Sequence, residues 1–127
     1  MNEEIVQIGK TVDAYFDAVT NRSWDKILES WHPDARMTTV KEGEVKSMPR
    51  SFWEGFCKQS PNPDERIQCE LVSVEVHGSV SFARSRTVRE DPERIDTLTD
   101  FLTLQRQDDG KWLIINKSYH TDSVEKD

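Results

Sequence analysis

One carboxylate in this chain stands where a carboxylate is costly. Asp100 falls in the series Leu98, Asp100, Leu102, Leu104, residues of one parity within a run, Ile95 to Arg106, that reads as a strand. Alternate residues of a strand share a face, so Asp100 is predicted to point inward among leucines. An unpaired charge in such a place is very unfavourable, and the carboxylate needs a partner. The next run, Lys111 to His120, offers the series Leu113, Ile115, Lys117, Tyr119, with Asp108-Asp109-Gly110 turning one strand into the other. A loop of Gln107 to Gly110 would set Lys117 directly opposite Asp100. Two roles are open to such a pair. It is either a structural ion pair that fixes the hairpin or the polar feature of a cavity that holds a polar group of a ligand. His120, at the end of the same strand, titrates near neutrality. It is a candidate acid or base at a cavity mouth, against the plainer reading of a solvated strand-end histidine. Arg84 and Arg86 share the parity of Val80, Phe82 and Val88, and either reach a cavity or lie across a dimer sheet.

Other chemistry is excluded by composition. His32, His77 and His120 are too scattered to hold a metal, and Cys57 and Cys69 fit no metal spacing. Both thiols read as small core residues, and no cofactor is implied. With 24 acids against 17 bases the net charge is −7, which repels a polyanion and argues against nucleic acid. No apolar run approaches the roughly 18 residues needed to cross a bilayer. The start, Met-Asn-Glu-Glu, is acidic where a secretory signal is basic. A cytoplasmic protein is expected.

These residues must be positioned by elements that the pattern supplies. Ile5, Ile8, Val12, Tyr15, Phe16 and Val19 form an amphipathic stripe, with Asn2 to cap it and Asn21 to end it. A short second helix follows Ser23, carrying Trp24, Ile27, Leu28 and Trp31, and His32-Pro33-Asp34 closes it. Ala35 to Lys41 and Glu44 to Met48 read as a hairpin about Glu42-Gly43, and Pro49 as the start of a third helix bearing Phe52, Trp53 and Phe56. Beyond the loop Lys58 to Glu65, Ile67, Cys69 and Leu71 share one parity and Val72, Val74 and Val76 the other. That switch predicts a β-bulge. Strands Ser79 to Glu90, Ile95 to Arg106 and Lys111 to His120 complete an α+β domain. Residues 1–121 are expected to form one domain and residues 122–127 a polar, frayed tail.

Tyr15-Phe16-Asp17-Ala18-Val19, Trp24-Asp25, Trp31-His32-Pro33-Asp34-Ala35 and the closing run Thr99 to His120 together resemble nuclear-transport-factor-2-like proteins. The resemblance is nearest to their lumazine-binding-like branch, beside polyketide-cyclase-like and ketosteroid-isomerase-like members. It implies a cone-shaped barrel, with three helices from the first half of the chain on a strongly bent, mostly antiparallel sheet around an internal cavity. It also implies a homodimer packed through that sheet. Steroid isomerases of this superfamily hold an oxyanion with a first-helix Tyr and a protonated late-strand Asp, and move the proton with a second Asp. Tyr15 and Asp100 match the first two, and Thr39 stands where the proton-carrying Asp belongs. A threonine hydroxyl is no base near neutral pH, so steroid isomerisation is not expected.

The sequence thus leads to a domain that binds a small hydrophobic molecule, with an isomerase, cyclase or dehydratase, or a protein-binding adaptor, as alternatives. Candidate ligand contacts are Tyr15, Trp31, Thr39, Phe52, Phe56, Asp100, Lys117 and Tyr119. The candidate catalytic groups are Tyr15, Asp100 and His120. For the dimer, Ser79, Ser81, Ala83 and Ser85 are small enough to let a second sheet approach.

Overall fold

Asn2 and Ser23 cap the first two helices through their side chains. Asn2 Oδ1 accepts from the Glu4 amide and Ser23 Oγ from the Lys26 amide, starting α1 (Glu3–Asn21) and α2 (Trp24–Ser30). Such caps satisfy amides that have no partner inside the helix and contribute about 1 kcal/mol each. Arg22, in the left-handed region at φ 52°, closes α1 with its amide on the Ala18 carbonyl. The stripe of α1 is buried at Ile8, Val12, Tyr15 and Val19, while Ile5 stays exposed. These features come from a computed structural model of the chain, which describes residues 2–127.

The strands are β1 (Trp31–Lys41), β2 (Glu44–Pro49), β3 (Arg66–His77), β4 (Val80–Glu90), β5 (Arg94–Arg106) and β6 (Trp112–Glu125), with α3 (Phe52–Lys58) between β2 and β3. They form one sheet in the order β2-β1-β6-β5-β4-β3, in which only the β1–β6 pair is parallel. The expected barrel does not close, because β2 and β3 are both edge strands. Helix α1 lies over β3 and β6. The small inward residues Ser81, Ala83 and Ser85 are buried beneath the helical layer. With Ser79, which lies exposed in the turn before β4, these were the residues expected to admit a second sheet. The outer face of β4 carries Val80, Phe82, Arg84 and Arg86 instead, so Arg84 and Arg86 point away from the interior.

Three boundaries differ from expectation. β1 begins at Trp31 rather than Ala35, so His32-Pro33-Asp34 lies within the strand, at an irregularity in the pairing with β6 between Trp31 and Arg36. Pro49 ends β2 instead of opening α3, which starts after Ser51. On an edge strand its missing N–H removes no ladder bond. The segment expected to fray past Thr121 continues β6, pairing Thr121–Glu125 with Arg94–Leu98.

Two bulges set the registers. That in β3 falls between Leu71 and Ser73 and leaves Val72 on the exposed side, so Ile67, Cys69, Leu71, Val74 and Val76 all pack inward, as the parity switch predicted. The β5–β6 hairpin has a loop of Gln107–Lys111, one residue longer than expected, and a shift between Thr103 and Leu104 that adds another. One offset alone would turn Lys117 to the opposite face. Two restore its parity, and Asp100 pairs with Tyr119 while Lys117 pairs with Leu102. The inner face of β6 is therefore Trp112, Ile114, Lys117 and Tyr119, not the series through Leu113 and Ile115.

Candidate functional site

Asp100 and Lys117 sit diagonally across the hairpin, within reach of long side chains. Lys117 Nζ lies 3.6 Å from Asp100 Oδ2, and the two side chains are 5% and 1% exposed. At that distance the contact is an ion pair just beyond hydrogen-bond range. The ammonium donates instead to the Tyr15 hydroxyl, at 2.8 Å. Ser85 Oγ donates to Asp100 Oδ2 at 3.3 Å from the neighbouring strand. Helix α1, β4, β5 and β6 thus converge on one buried polar group.

Aromatic rings enclose it. Nζ is 4.7 Å from the Tyr119 ring centre, 5.1 Å from that of Trp53 and 5.5 Å from that of Tyr15. Behind them Tyr15, Trp31 and Trp53 pack on one another at 5.6–5.8 Å between ring centres. Burial opposes charge here. It holds the Lys117 ammonium below the ordinary lysine range, against the pull of Asp100. It raises the Asp100 carboxyl, against the Lys117 charge and the Ser85 hydrogen bond. The Tyr15 hydroxyl is pushed well up, first by burial and then by the Asp100 charge, and stays a neutral phenol.

Beside this group is a cavity of about 50 Å³, lined by Tyr15, Trp53, Phe56, Leu98, Arg89 and Lys117 among others. Among the described residues, the buried side-chain N and O atoms without a protein partner are Trp31 Nε1, Trp53 Nε1, Arg89 Nε and Asp100 Oδ1. Trp53 and Arg89 line this cavity, Asp100 is ion-paired to its Lys117, and Trp31 packs on its Tyr15 and Trp53. Unsatisfied buried polar atoms are rare in native proteins, and two of the four residues that carry them here, Trp53 and Arg89, line this space.

Of the residues singled out by sequence, Tyr15, Phe56 and Lys117 line the cavity, with Asp100, Trp31 and Tyr119 packed around them. Thr39 is turned elsewhere: its Oγ1 donates to the Tyr119 carbonyl at 2.9 Å and ties β1 to β6. Phe52 is 45% exposed on the outer side of Trp53. His120 is exposed and bonded to Asp122 at 3.0 Å, away from the cavity. Cys69 faces inward on β3, where burial raises its thiol, and Cys57 lies half-buried in α3. No group of His, Cys, Asp and Glu among the described residues could hold a metal. Reading from sequence missed Trp53 and Arg89. The signal for Arg89 was its parity with Ser85 and Thr87 on the inner face of β4.

An open six-stranded sheet carrying three helices, with a polar group buried between them, defines a nuclear-transport-factor-2-like protein. The chain belongs to the family described as "Putative lumazine-binding", whose model matches residues 3–120. A relative named aldolase FrzH, from Cladobotryum sp, is 28% identical over 111 residues, 87% of this chain and 86% of its own. Among solved structures, a nuclear-transport-factor-2-like protein of Shewanella baltica superposes with a TM-score of 0.80 at 20% identity, covering 94% of each chain. One from Silicibacter pomeroyi gives 0.77 at 21% identity, over 96% of this chain and all of its own. A ketosteroid isomerase-like protein of Erwinia carotovora atroseptica gives 0.72 at 14% identity, over 95% of this chain and 98% of its own. At such identities the likeness is one of fold.

Proposed function

We propose that this domain binds a small, mostly apolar molecule carrying an oxygen function in the cavity between α1, α3 and the sheet. The reading is carried by Trp53 and Arg89, which line that cavity and each hold a buried nitrogen without a partner. Such atoms are costly unless another group completes them. Lys117 and Tyr15 would hold the ligand oxygen, while Trp53, Phe56 and Leu98 take its apolar part. The sequence reading of a small hydrophobic ligand fits this wall, which is aromatic and aliphatic apart from its polar end.

An enzymatic role is the second reading, and the relative named as an aldolase favours it over a passive binder. We infer further that the chain works as a homodimer in the cytoplasm, without nucleic acid or membrane as partner. Support for a dimer is the outer sheet face, where Phe82 and Phe101 stack at 5.4 Å while 47% and 40% exposed. Two free thiols suit a reducing compartment, a net charge of −7 disfavours polyanions, and among the described residues no helix is long and apolar enough to cross a membrane.

Mass spectrometry of small molecules released from the purified protein tests the binding reading. Quenching of tryptophan fluorescence on adding back the released compound should report Trp53 at the site. Compounds that quench wild type and a Trp53→Phe variant to the same extent would show binding elsewhere and refute it.

A further inference from the structure

We propose that Lys117 is a nucleophilic amine, which condenses through Nζ with small aldehydes or ketones in the cavity to form a Schiff base. The inference rests on the small-molecule reading above and names the substrate class and the chemistry. Three observations carry it. Lys117 is buried and yet lines a cavity, whereas the ion-paired lysines at positions 26, 46, 58 and 126 are 35–76% exposed. Its contact with Asp100, at 3.6 Å, does not lock the nitrogen in a hydrogen bond. A phenol lies 2.8 Å from Nζ, within reach of the oxygen of any carbonyl whose carbon that nitrogen attacks.

The surroundings favour the free amine, which is the reactive form. The charged and titratable groups facing Nζ are Asp100, Tyr15, Tyr119 and Cys69, with Arg89 on the cavity wall. Burial outweighs the attraction of Asp100 and lowers the ammonium's proton affinity. The space beside Nζ is small, about 50 Å³, and suits a small carbonyl compound.

The chemistry balances with these residues. The amine lone pair attacks the carbonyl carbon, a C–N bond forms, and the C=O π pair moves to oxygen, which takes the Tyr15 proton. The nitrogen passes a proton to Asp100, and Tyr15 is reprotonated from Asp100. A proton from solvent, passed to the carbinolamine oxygen, lets it leave as water while the C=N bond forms. Overall, amine, carbonyl and one proton give an iminium and water. That iminium is an electron sink. Loss of an α-proton to the Asp100 carboxylate gives an enamine, whose carbon can form a bond to the carbonyl carbon of a second molecule at the open mouth of the cavity. The new alkoxide takes a proton, and water returns the product carbonyl and the free amine. Carbon–carbon bond formation of this kind agrees with the name of the aldolase relative.

The test is reductive trapping with acetone and sodium borohydride on the folded protein at neutral pH, followed by peptide mapping. Lys117 should gain one isopropyl group ahead of the exposed lysines, because burial holds more of its amine in the free form. Tyr15→Phe should slow the reaction while leaving the labelled position unchanged. Labelling confined to the exposed lysines would overturn the proposal. Wild-type mapping decides this even if Lys117→Met fails to fold. Acetamide, which has the same shape but does not form a Schiff base, separates the two readings by ligand-observed NMR with the wild type. Acetamide bound without trapping at Lys117 overturns the Schiff base and leaves the cavity reading intact. Neither binding nor trapping overturns both.

Discussion

Removing one member of the Asp100–Lys117 pair should destabilise the protein more than removing both. At 3.6 Å and an effective dielectric of about 20, two unit charges attract by about 4–5 kcal/mol. That agrees with the roughly 3–5 kcal/mol lost when a buried charge is stranded. Asp100→Asn and Lys117→Met should each cost that much near pH 7. The double variant removes both desolvation penalties with the attraction, and should fall within about 1 kcal/mol of wild type or above it. The two single variants should also respond to pH in opposite directions. Lys117→Met leaves a carboxyl already raised by burial, now without its cation. Its folded pKa lies above the unfolded one, so protonation favours the fold and the loss shrinks as pH falls from 7 toward about 4. Asp100→Asn leaves an amine whose folded pKa is lowered by burial. Deprotonation then favours the fold, and the loss shrinks as pH rises from 7 toward about 10. Either change is limited to about 1.4 kcal/mol per pH unit. Urea unfolding of the four proteins at about pH 5, 7 and 9 measures both effects. Additive losses with parallel pH trends would mean that the two groups do not interact, and would refute the reasoning.

Three further outcomes follow from other contacts. Glu4 accepts from Trp112 Nε1 and from Arg106 Nη1, both at 2.7 Å, so Glu4→Ala should cost about 1–3 kcal/mol by leaving a buried indole N–H unpaired. Urea unfolding beside an exposed control, Glu3→Ala, checks it, and equal losses would refute it. Light scattering at micromolar concentration should give twice the 14.8 kDa chain mass, and Phe82→Glu should halve it; a wild-type monomer would remove the dimer. Neither wild type nor Thr39→Asp should isomerise a β,γ-unsaturated ketosteroid efficiently, because the Thr39 side chain is directed to the Tyr119 carbonyl rather than the cavity. Robust wild-type turnover in that assay would refute this assignment of Thr39.

Much of the fold was legible because short-range signals agreed. Asn2 and Ser23 are caps by residue type, and the stripe from Ile8 to Val19 has no strand period. The β3 bulge showed as a change of parity between Leu71 and Val74. The β6 offset was invisible for the opposite reason. Leu113, Ile114 and Ile115 are apolar in succession, so either parity makes a plausible inner face. Pairing of β1 with β6 joins residues about eighty positions apart and leaves no local trace. Asp100 and Lys117 were found by their cost, since charges in apolar series demand explanation. Trp53 was hidden among Phe52 and Phe56 until the turn of α3 decided which ring faced inward.

The site divides its tasks between elements of unequal anchorage. Tyr15 stands on a helix of 19 residues, and Asp100 and Lys117 on strands of 13 and 14 residues paired on both sides. Those backbones fix the nitrogen, phenol and carboxylate relative to one another, and polar chemistry depends on such fixed placement. The apolar wall is different. Trp53 and Phe56 belong to a helix of seven residues whose N-cap, Ser51, makes no side-chain capping bond. It is tied to α1's end by Arg22, which donates to the Phe56 carbonyl at 3.0 Å and lies 4.3 Å above the Phe56 ring. A short, uncapped helix moves at less cost than a central strand. On the proposed reading, ligand size would be governed by α3 and its Arg22 tether, and the kind of functional group accepted by the trio on α1, β5 and β6. Substitutions in α3 should change which molecules bind, and substitutions in the trio should change what can happen to them.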